Sequence, residues 1–447
     1  PVNMAFANIG LTENLSLETF YQLEYRETVL DGCGTYFSNN DYASQGCVNV
    51  KTEVGDVSRD ADGLRRPDAD GQFGVAFRYV SEALDTEFGF YAMNIHSRTP
   101  LISANKASFD ELTTLGSGFI DADIQGLANF LVNETDPTDS TAYDGLVAAA
   151  AADPANYQGT LDQVNGGAAV GVLAALTTSG EPLLGVGATT FYTEYPEDTQ
   201  IAGLSFASNV AGVALSGEVS HSQDTPIQIN AYQLIAAALQ SDAINAVTIA
   251  GALQQGATME QATAAGSAAV ADELGELGAA VLASEDGQSL TGFRLFDVTQ
   301  LQITAIKLFD QVLGASRIAL VTEAGFTYIH GFDEDGSIKF NGLGIESMPD
   351  TVTQKSWGYR ALINAEYSDV FAGINLTPEV YWSQDVEGVS SNLGSGFVEG
   401  NERLGLILNA DYLNTYSAAI SYTRLSGGPN NQVADRDFAS VSVGMQF

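Results

Sequence analysis

The feature that most limits what this chain can fold into is an alternation of period two that recurs from one end to the other. In "LSLETFYQLEYR", Leu15, Leu17, Thr19, Tyr21, Leu23 and Tyr25 share one parity, with Glu18, Gln22, Glu24 and Arg26 on the other. "GQFGVAFRY" sets Phe73, Val75, Phe77 and Tyr79 against Gln72, Gly74, Ala76 and Arg78. The final stretch, "RDFASVSVGMQF", sets Ala439, Val441, Val443, Met445 and Phe447 against Ser440, Ser442, Gly444 and Gln446. Successive side chains of a strand point to opposite faces, so each stretch reads as a strand with one apolar and one polar face.

A soluble sandwich would show the same alternation, and the connections separate the two. Strands are read near residues 2–9, 15–26, 71–80, 86–96, 200–208, 211–222, 293–309, 315–330, 356–367, 370–383, 402–412, 416–425 and 437–447. Every second link is short: "LTENL", "SEALD", "SNVA", "DQVLGA", "SDV" and "LNT". The links between those are long, at 27–70, 97–200, 222–292, 331–355, 384–401 and 426–436. Short turns at one end and long connections at the other mark an antiparallel transmembrane β-barrel with its short turns in the periplasm. Tyr25, Tyr79, Trp357, Trp382, Tyr412 and Tyr422, near strand ends, suit its aromatic girdles.

The expectation is an all-β membrane protein: one barrel over residues 1–447, with 13 or 14 visible strands and α-helical extracellular insertions. It belongs in the outer membrane of a Gram-negative bacterium, with the long connections outside the cell. Thirteen is odd where bacterial barrels are even, and an open edge cannot stand in lipid. One or more strands are therefore expected ahead of Pro1 to pair with the last, a miscounted strand being the alternative.

Composition narrows the partners. With 56 Asp+Glu against 17 Lys+Arg, the formal charge of -39 excludes a nucleic-acid partner, whose phosphates would be repelled. A hydrophobic fraction of 45% excludes global disorder. The acidic excess disfavours an anion-selective pore or reflects a salty habitat. The two cysteines, Cys33 and Cys47, read as one disulfide stapling an extracellular loop, with two free thiols as the alternative.

The polar parity collects a set of mixed sign expected to line the lumen: Glu18, Glu24, Arg26, Arg78, Glu218, Glu323, Arg360, Glu366, Glu379 and Arg403. The three histidines, His96, His221 and His330, fall at strand ends on the long-connection side. Ser97 and Ser222 adjoin two of them, but neighbours in a strand face opposite ways, which argues against a catalytic dyad. No catalytic residue and no cofactor are expected. "FDEDGS" (332–337) reads as an acidic turn; Asp333, Asp335 and Asp350 are at most a loose site for divalent cations, so a metal is left open.

Two long connections change texture. Insertion 97–200 carries Ala-rich stretches, and insertion 223–292 switches to a helical period, with Thr258 and Gln261 spaced as a capping box. A sugar or ion pore has no need of apolar extracellular helices, whereas a channel for hydrophobic molecules must collect them outside the lipopolysaccharide. Leu234, Ile235, Leu239, Ile249, Leu253, Leu274, Leu277 and Val281 are the candidate capture surface, with loop-on-loop packing as the alternative.

Several longer stretches carry a resemblance: "LSLETFYQLEY" with "CGTYFS", "GQFGVAFRY" with "TEFGFYAMNIHSRTP", "EYPEDTQIAGLSF" with "GEVSHSQDTPIQIN", "GYRALINAEYSDVFAGINLTPEVYWSQDVEGVS", "GFVEGNERLGLILNADY" and "DRDFASVSV". Together they resemble the outer-membrane family called domain of unknown function 1302. The resemblance implies a barrel with further N-terminal strands. It also implies passive uptake of hydrophobic or amphiphilic small molecules (alkane, fatty acid or lipid class), similar in role to long-chain fatty-acid channels. The alternative it implies is a component of lipid export or surface assembly. Implied partners are outer-membrane lipids, lipopolysaccharide, a periplasmic lipid-binding protein and an RND-type transporter. The family often has His-Asp before "VEGVS"; here Gln384 stands in the His place.

Overall fold

A computed structural model describes residues 2–35, 43–44, 46, 49–52, 55–106, 148–149, 152, 189–285, 287–341, 352–391, 396–429, 431 and 433–446. The strands are β1 (Met4–Gly10), β2 (Leu15–Gln22), β3 (Asn49–Thr52), β4 (Gly55–Arg65), β5 (Phe73–Ser81), β6 (Thr86–Ile95), β7 (Leu101–Asn105), β8 (Thr190–Glu194) and β9 (Thr199–Val210). They continue as β10 (Val213–Gln228), β11 (Ser289–Leu290), β12 (Phe293–Asp310), β13 (Arg317–Ile329), β14 (Lys355–Phe371), β15 (Ile374–Glu387), β16 (Glu402–Tyr412), β17 (Tyr416–Ser426) and β18 (Phe438–Met445). Helices α1 (Ala231–Gln254) and α2 (Met259–Leu282) lie between β10 and β11.

Thirteen strands form one antiparallel meander in the order β1-β2-β5-β6-β9-β10-β12-β13-β14-β15-β16-β17-β18. Its hairpins close at one end through short turns. Ala211 and Gly212 (φ 53° and 73°) and Ala372 and Gly373 (φ 52° and 84°) make two-residue turns with both residues left-handed, which matches the twist of the flanking strands. The second turn corrects the sequence reading, which placed it at "SDV": β14 instead continues to Phe371 through an irregularity in its register. The strand read at 15–26 likewise ends at Gln22.

The register keeps the two faces apart. Across β15, β16, β17 and β18, Val380 pairs with Leu406, Leu406 with Tyr422, and Tyr422 with Ala439, all on the apolar face. On β18, Val441, Val443 and Met445 are 75%, 84% and 57% exposed, whereas Ser440 hydrogen-bonds Ser421 on the other face at 2.7 Å. Phe447 lies outside the described residues. Of the residues read as a girdle, Tyr79, Tyr412 and Tyr422 stand exposed, and Trp357 and Trp382 are half-buried. Tyr25 does not: its hydroxyl donates to the Ser97 carbonyl at 2.8 Å and its ring packs edge-on against Tyr195.

The long connections hold a second sheet that the alternation did not reveal, of order β11-β7-β8-β4-β3, with β4 and β8 parallel. With α1 and α2 it caps the long-connection end. Here sits the water-excluded core: Val57, Ile102, Ala104 and Phe191 from the small sheet, Leu234, Ala237, Leu277 and Val281 from the helices, and Ile227, Val298 and Ile329 from the ends of the large strands. The capping box at Thr258 is present, its hydroxyl accepting from the Gln261 amide at 3.3 Å. At the other helix start Asn230 accepts from the Gln233 amide at 3.0 Å. Gly275 (φ 66°) breaks α2 where Ser337 crosses it.

One buried side chain joins cap to sheet. The Gln228 amide nitrogen donates to the carbonyls of Ile102 (2.9 Å), Ile229 (3.0 Å) and Gly292 (2.7 Å), and its oxygen accepts from the Ile102 amide. Gly292 has no room for a side chain, since a Cβ would fall 1.7 Å from the Ile102 oxygen. Replacing Gln228 by Ala strands these groups, each costing roughly 1–3 kcal/mol when buried and unpaired. Gln228→Ala is therefore expected to speed amide exchange at Ile102 and Ile229 by at least tenfold while leaving β14 to β17 protected; unchanged protection at Ile102 would contradict this role.

Candidate functional site

The polar face of the large sheet carries the candidate site. Arg78 on β5 bridges Glu18 on β2 and Glu87 on β6, at 3.2 Å to each. Glu218 on β10 accepts from the Tyr91 hydroxyl at 2.6 Å. Glu323 on β13 accepts from the Gln302 amide at 2.8 Å and Glu379 on β15 from Asn409 at 2.9 Å. Glu24 and Arg26 belong to the same expected set but lie beyond the end of β2, paired to each other at 3.1 Å. The amide of Asn3 holds the Glu24 carboxyl below its usual range. The side chain of Glu366 is exposed at the short-turn end.

Arg360 and Arg403 differ from the rest. Both face the polar side, in register with Ser383 between them, and neither makes a hydrogen bond or ion pair among the described residues. Asp385 on β15 is near enough to act electrostatically on both, while its own carboxylate accepts from the Val398 amide at 3.0 Å.

A cavity of about 380 Å³ opens beside Arg360 between β10, β12, β13 and β14, within the roughly 300–1,000 Å³ usual for small-molecule pockets. Its wall carries polar side chains along its length. Toward the short-turn end stand Glu218, Gln302, Glu323 and Arg360; toward the cap, Val298, Ile329 and Phe397 stand among Ser222, Gln300, Thr327 and Ser390. Phe397, from the connection between β15 and β16, rests on two glycines that face each other across β13 and β14. A Cβ would lie 3.0 Å from its ring at Gly325 and 2.9 Å at Gly358. Sequence reasoning missed this seat; a glycine pair on the same face of neighbouring strands is the signal, visible only once the register is known.

All three histidines make hydrogen bonds within the fold. His96 is 3% exposed; its Nδ1 accepts from the Asp198 amide at 3.1 Å, so the proton sits on Nε2 and is donated to the Asp70 carbonyl at 2.8 Å. His221 and His330 share the Thr299 hydroxyl at 3.0 and 2.8 Å on the apolar face, near the cap. Below them an apolar hollow of about 460 Å³ runs between Phe77, Phe90, Leu204 and Val219. In the acidic turn, Asp333 accepts from the Asp335 amide at 3.1 Å. Among the described residues no three His, Cys, Asp or Glu side chains converge as a metal site; Asp350 lies outside them.

The candidate capture residues are placed as follows. Leu234, Ile235, Leu239, Leu277 and Val281 are buried where the helices pack on each other and on the small sheet. Ile249 and Leu274 are half-buried, and the side chain of Leu253 lies outside the described ones. Cys47 is also outside them, so its pairing with Cys33 remains an expectation.

A mostly β chain with a 13-stranded antiparallel sheet, a polar cavity on one face and a cap at one end is thus defined. The chain belongs to the family described as protein of unknown function (DUF1302), whose pattern matches residues 1–447. Among solved structures it is similar to a Pseudomonas aeruginosa FadL homologue, at 9% identity and a TM-score of 0.30, over 95% of this chain and 70% of that one. It is also similar to a variant of the ferric enterobactin receptor PfeA of Pseudomonas aeruginosa, at 10% identity and a TM-score of 0.32, over 95% of this chain. The chain spans 50% of that receptor's length. No curated protein sequence matches significantly.

The seat of Phe397 can be tested by a double-mutant cycle. Gly325→Val is expected to cost about 1–3 kcal/mol by overpacking, and much less in a Phe397→Ala background, where the ring is gone. Denaturation midpoints that show no coupling between the two substitutions would place the ring elsewhere.

Proposed function

We propose that the protein is a closed outer-membrane β-barrel of a Gram-negative bacterium that admits hydrophobic or amphiphilic small molecules of the alkane, fatty-acid or lipid class. It does so without chemistry and without a cofactor. The apolar face meets lipid, the polar face lines the lumen, and the long connections with their helical cap stand outside the cell. The observation that carries this reading is a cavity of mixed lining: Val298, Ile329 and Phe397 stand among polar side chains beneath the cap, and Glu218, Glu323 and Arg360 stand on the other side. An amphiphile uses both kinds of surface, whereas a sugar or a small ion uses only one.

The cap then acts as the collecting and gating element. Of the candidate capture residues, half-buried Ile249 and Leu274 are within reach from outside. Leu234, Ile235, Leu239, Leu277 and Val281 become available only where α1 and α2 separate, and Leu253 belongs to the same proposal. A Cys33–Cys47 disulfide would staple the connection between β2 and β5 on the outer side. The partners implied by the family resemblance, a periplasmic lipid-binding protein and an RND-type transporter, would meet the short-turn end.

Deleting the gene is expected to reduce uptake of labelled long-chain alkane or fatty acid several-fold, with surface lipid unaffected. Unchanged uptake together with lost surface lipid would overturn the channel in favour of an export component. The membrane assignment has its own check. Leu406→Arg, on the apolar face, is expected to cost roughly 2–4 kcal/mol in vesicle refolding. Ser421→Arg, on the polar face, is expected to cost under about 1 kcal/mol; equal penalties would sink the assignment.

A further inference from the structure

Arginine is scarce in this chain, with Lys and Arg together at 17 of 447 residues. Arg78 and Arg66 are each locked by carboxylates, the latter to Glu27 at 2.6 Å. Arg360 and Arg403 are not, although acids are close by. Glu218 is taken up by Tyr91, and Glu323 by Gln302 and Thr304, all neutral donors. Asp385 is held by the Val398 amide. These carboxylates thus take neutral donors, while the two exposed guanidinium groups, each with five N–H donors, make no hydrogen bond or ion pair among the described residues.

Glu323, Arg360, Ser383 and Arg403 form one cross-strand row on the polar face of β13, β14, β15 and β16. The two arginine Cα atoms are therefore two inter-strand spacings apart, roughly 10 Å. Side chains of that length can reach the space over the small Ser383 from both sides. The next row toward the cap on β13 and β14 is the Gly325–Gly358 pair, on which Phe397 rests. Arg360 thus lines the cavity one row below an aromatic ring, with Gln300 and Thr327 and then Val298 and Ile329 beyond it, and Arg403 stands two strands over.

We infer that Arg360 and Arg403 bind the carboxylate head group of an ionised amphiphile whose alkyl tail lies against Phe397, Val298 and Ile329. This rests on the channel reading above and narrows its substrate class from hydrophobic molecules in general to long-chain carboxylates. Guanidinium groups match a carboxylate bidentately, so a head group held by both arginines fixes the ligand's direction. Phe397 is displaced or stacked along the tail as the ligand enters.

The test is equilibrium binding of radiolabelled hexadecanoate and hexadecanol to the full chain in a non-ionic detergent at pH 8. The wild-type protein is expected to bind the acid at least tenfold more tightly than the alcohol. Arg360→Gln and Arg403→Gln, measured separately, are each expected to weaken the acid tenfold or more and the alcohol less than twofold. Arg360→Lys, which keeps the charge but loses the fork, is expected to fall between. Phe397→Ala should weaken both ligands alike. Equal binding of acid and alcohol, or loss of both in the arginine variants, overturns this inference and leaves the channel standing. Failure of the wild-type protein to bind either ligand overturns both. Retention of the alcohol in each variant reports that it has folded.

Discussion

Everything in this molecule depends on the separation of two faces across a very wide sheet. Thirteen strands pair in one continuous register, and a shift of one residue in any strand would exchange its apolar and polar rows. The exposure of Val441, Val443 and Met445 opposite the Ser421–Ser440 hydrogen bond shows the separation kept to the last strand. Such a sheet has no apolar core of its own between its faces. In the proposed membrane setting its stability would come from satisfied backbone pairing, since hydrocarbon offers unpaired N–H and C=O groups no partner. That places the burden of specific packing on the cap, where Gln228 and Gly292 tie the small sheet to β10 and β12.

The large sheet was legible in the sequence because its signals are local. Alternation sits within each strand, and short turns such as Ala211-Gly212 sit between strands adjacent in sequence. The one displaced turn, at Ala372-Gly373, lies where the apolar parity runs on through Val370 and Phe371 and gives no cue to the end of the strand. The small sheet was not legible for the opposite reason. Its strands β3, β7, β8 and β11 are two to five residues long, and β4 reads "GDVSRDADGLR" with no apolar period. Their partners lie more than a hundred residues away in the β4–β8 ladder, so no window of sequence contains the pairing.

The site divides in the same way. Parity alone put Glu18, Arg78, Glu218, Glu323, Arg360, Glu379 and Arg403 on one face. It could not say which of these charges are neutralised, because that depends on neighbours across strands. It also overreached at Glu24 and Arg26, which continue the alternation past the end of β2. The apolar helix positions were visible as a stripe, but a stripe does not name its partner. Most of it is turned toward the cap core. A cavity lined by both Phe397 and Arg360 emerges only when the β15–β16 connection folds back over the Gly325–Gly358 pair.

The account turns on the two faces meeting two different solvents. Nitroxide labels placed one at a time at residues 404–410 of β16, in the protein reconstituted into lipid vesicles, read that directly. Labels at 404, 406, 408 and 410 should relax with dissolved oxygen and not with a water-soluble nickel chelate, and those at 405, 407 and 409 should show the reverse. Accessibility to the chelate at every position, or no two-residue period, would contradict a membrane-spanning sheet and the channel built on it.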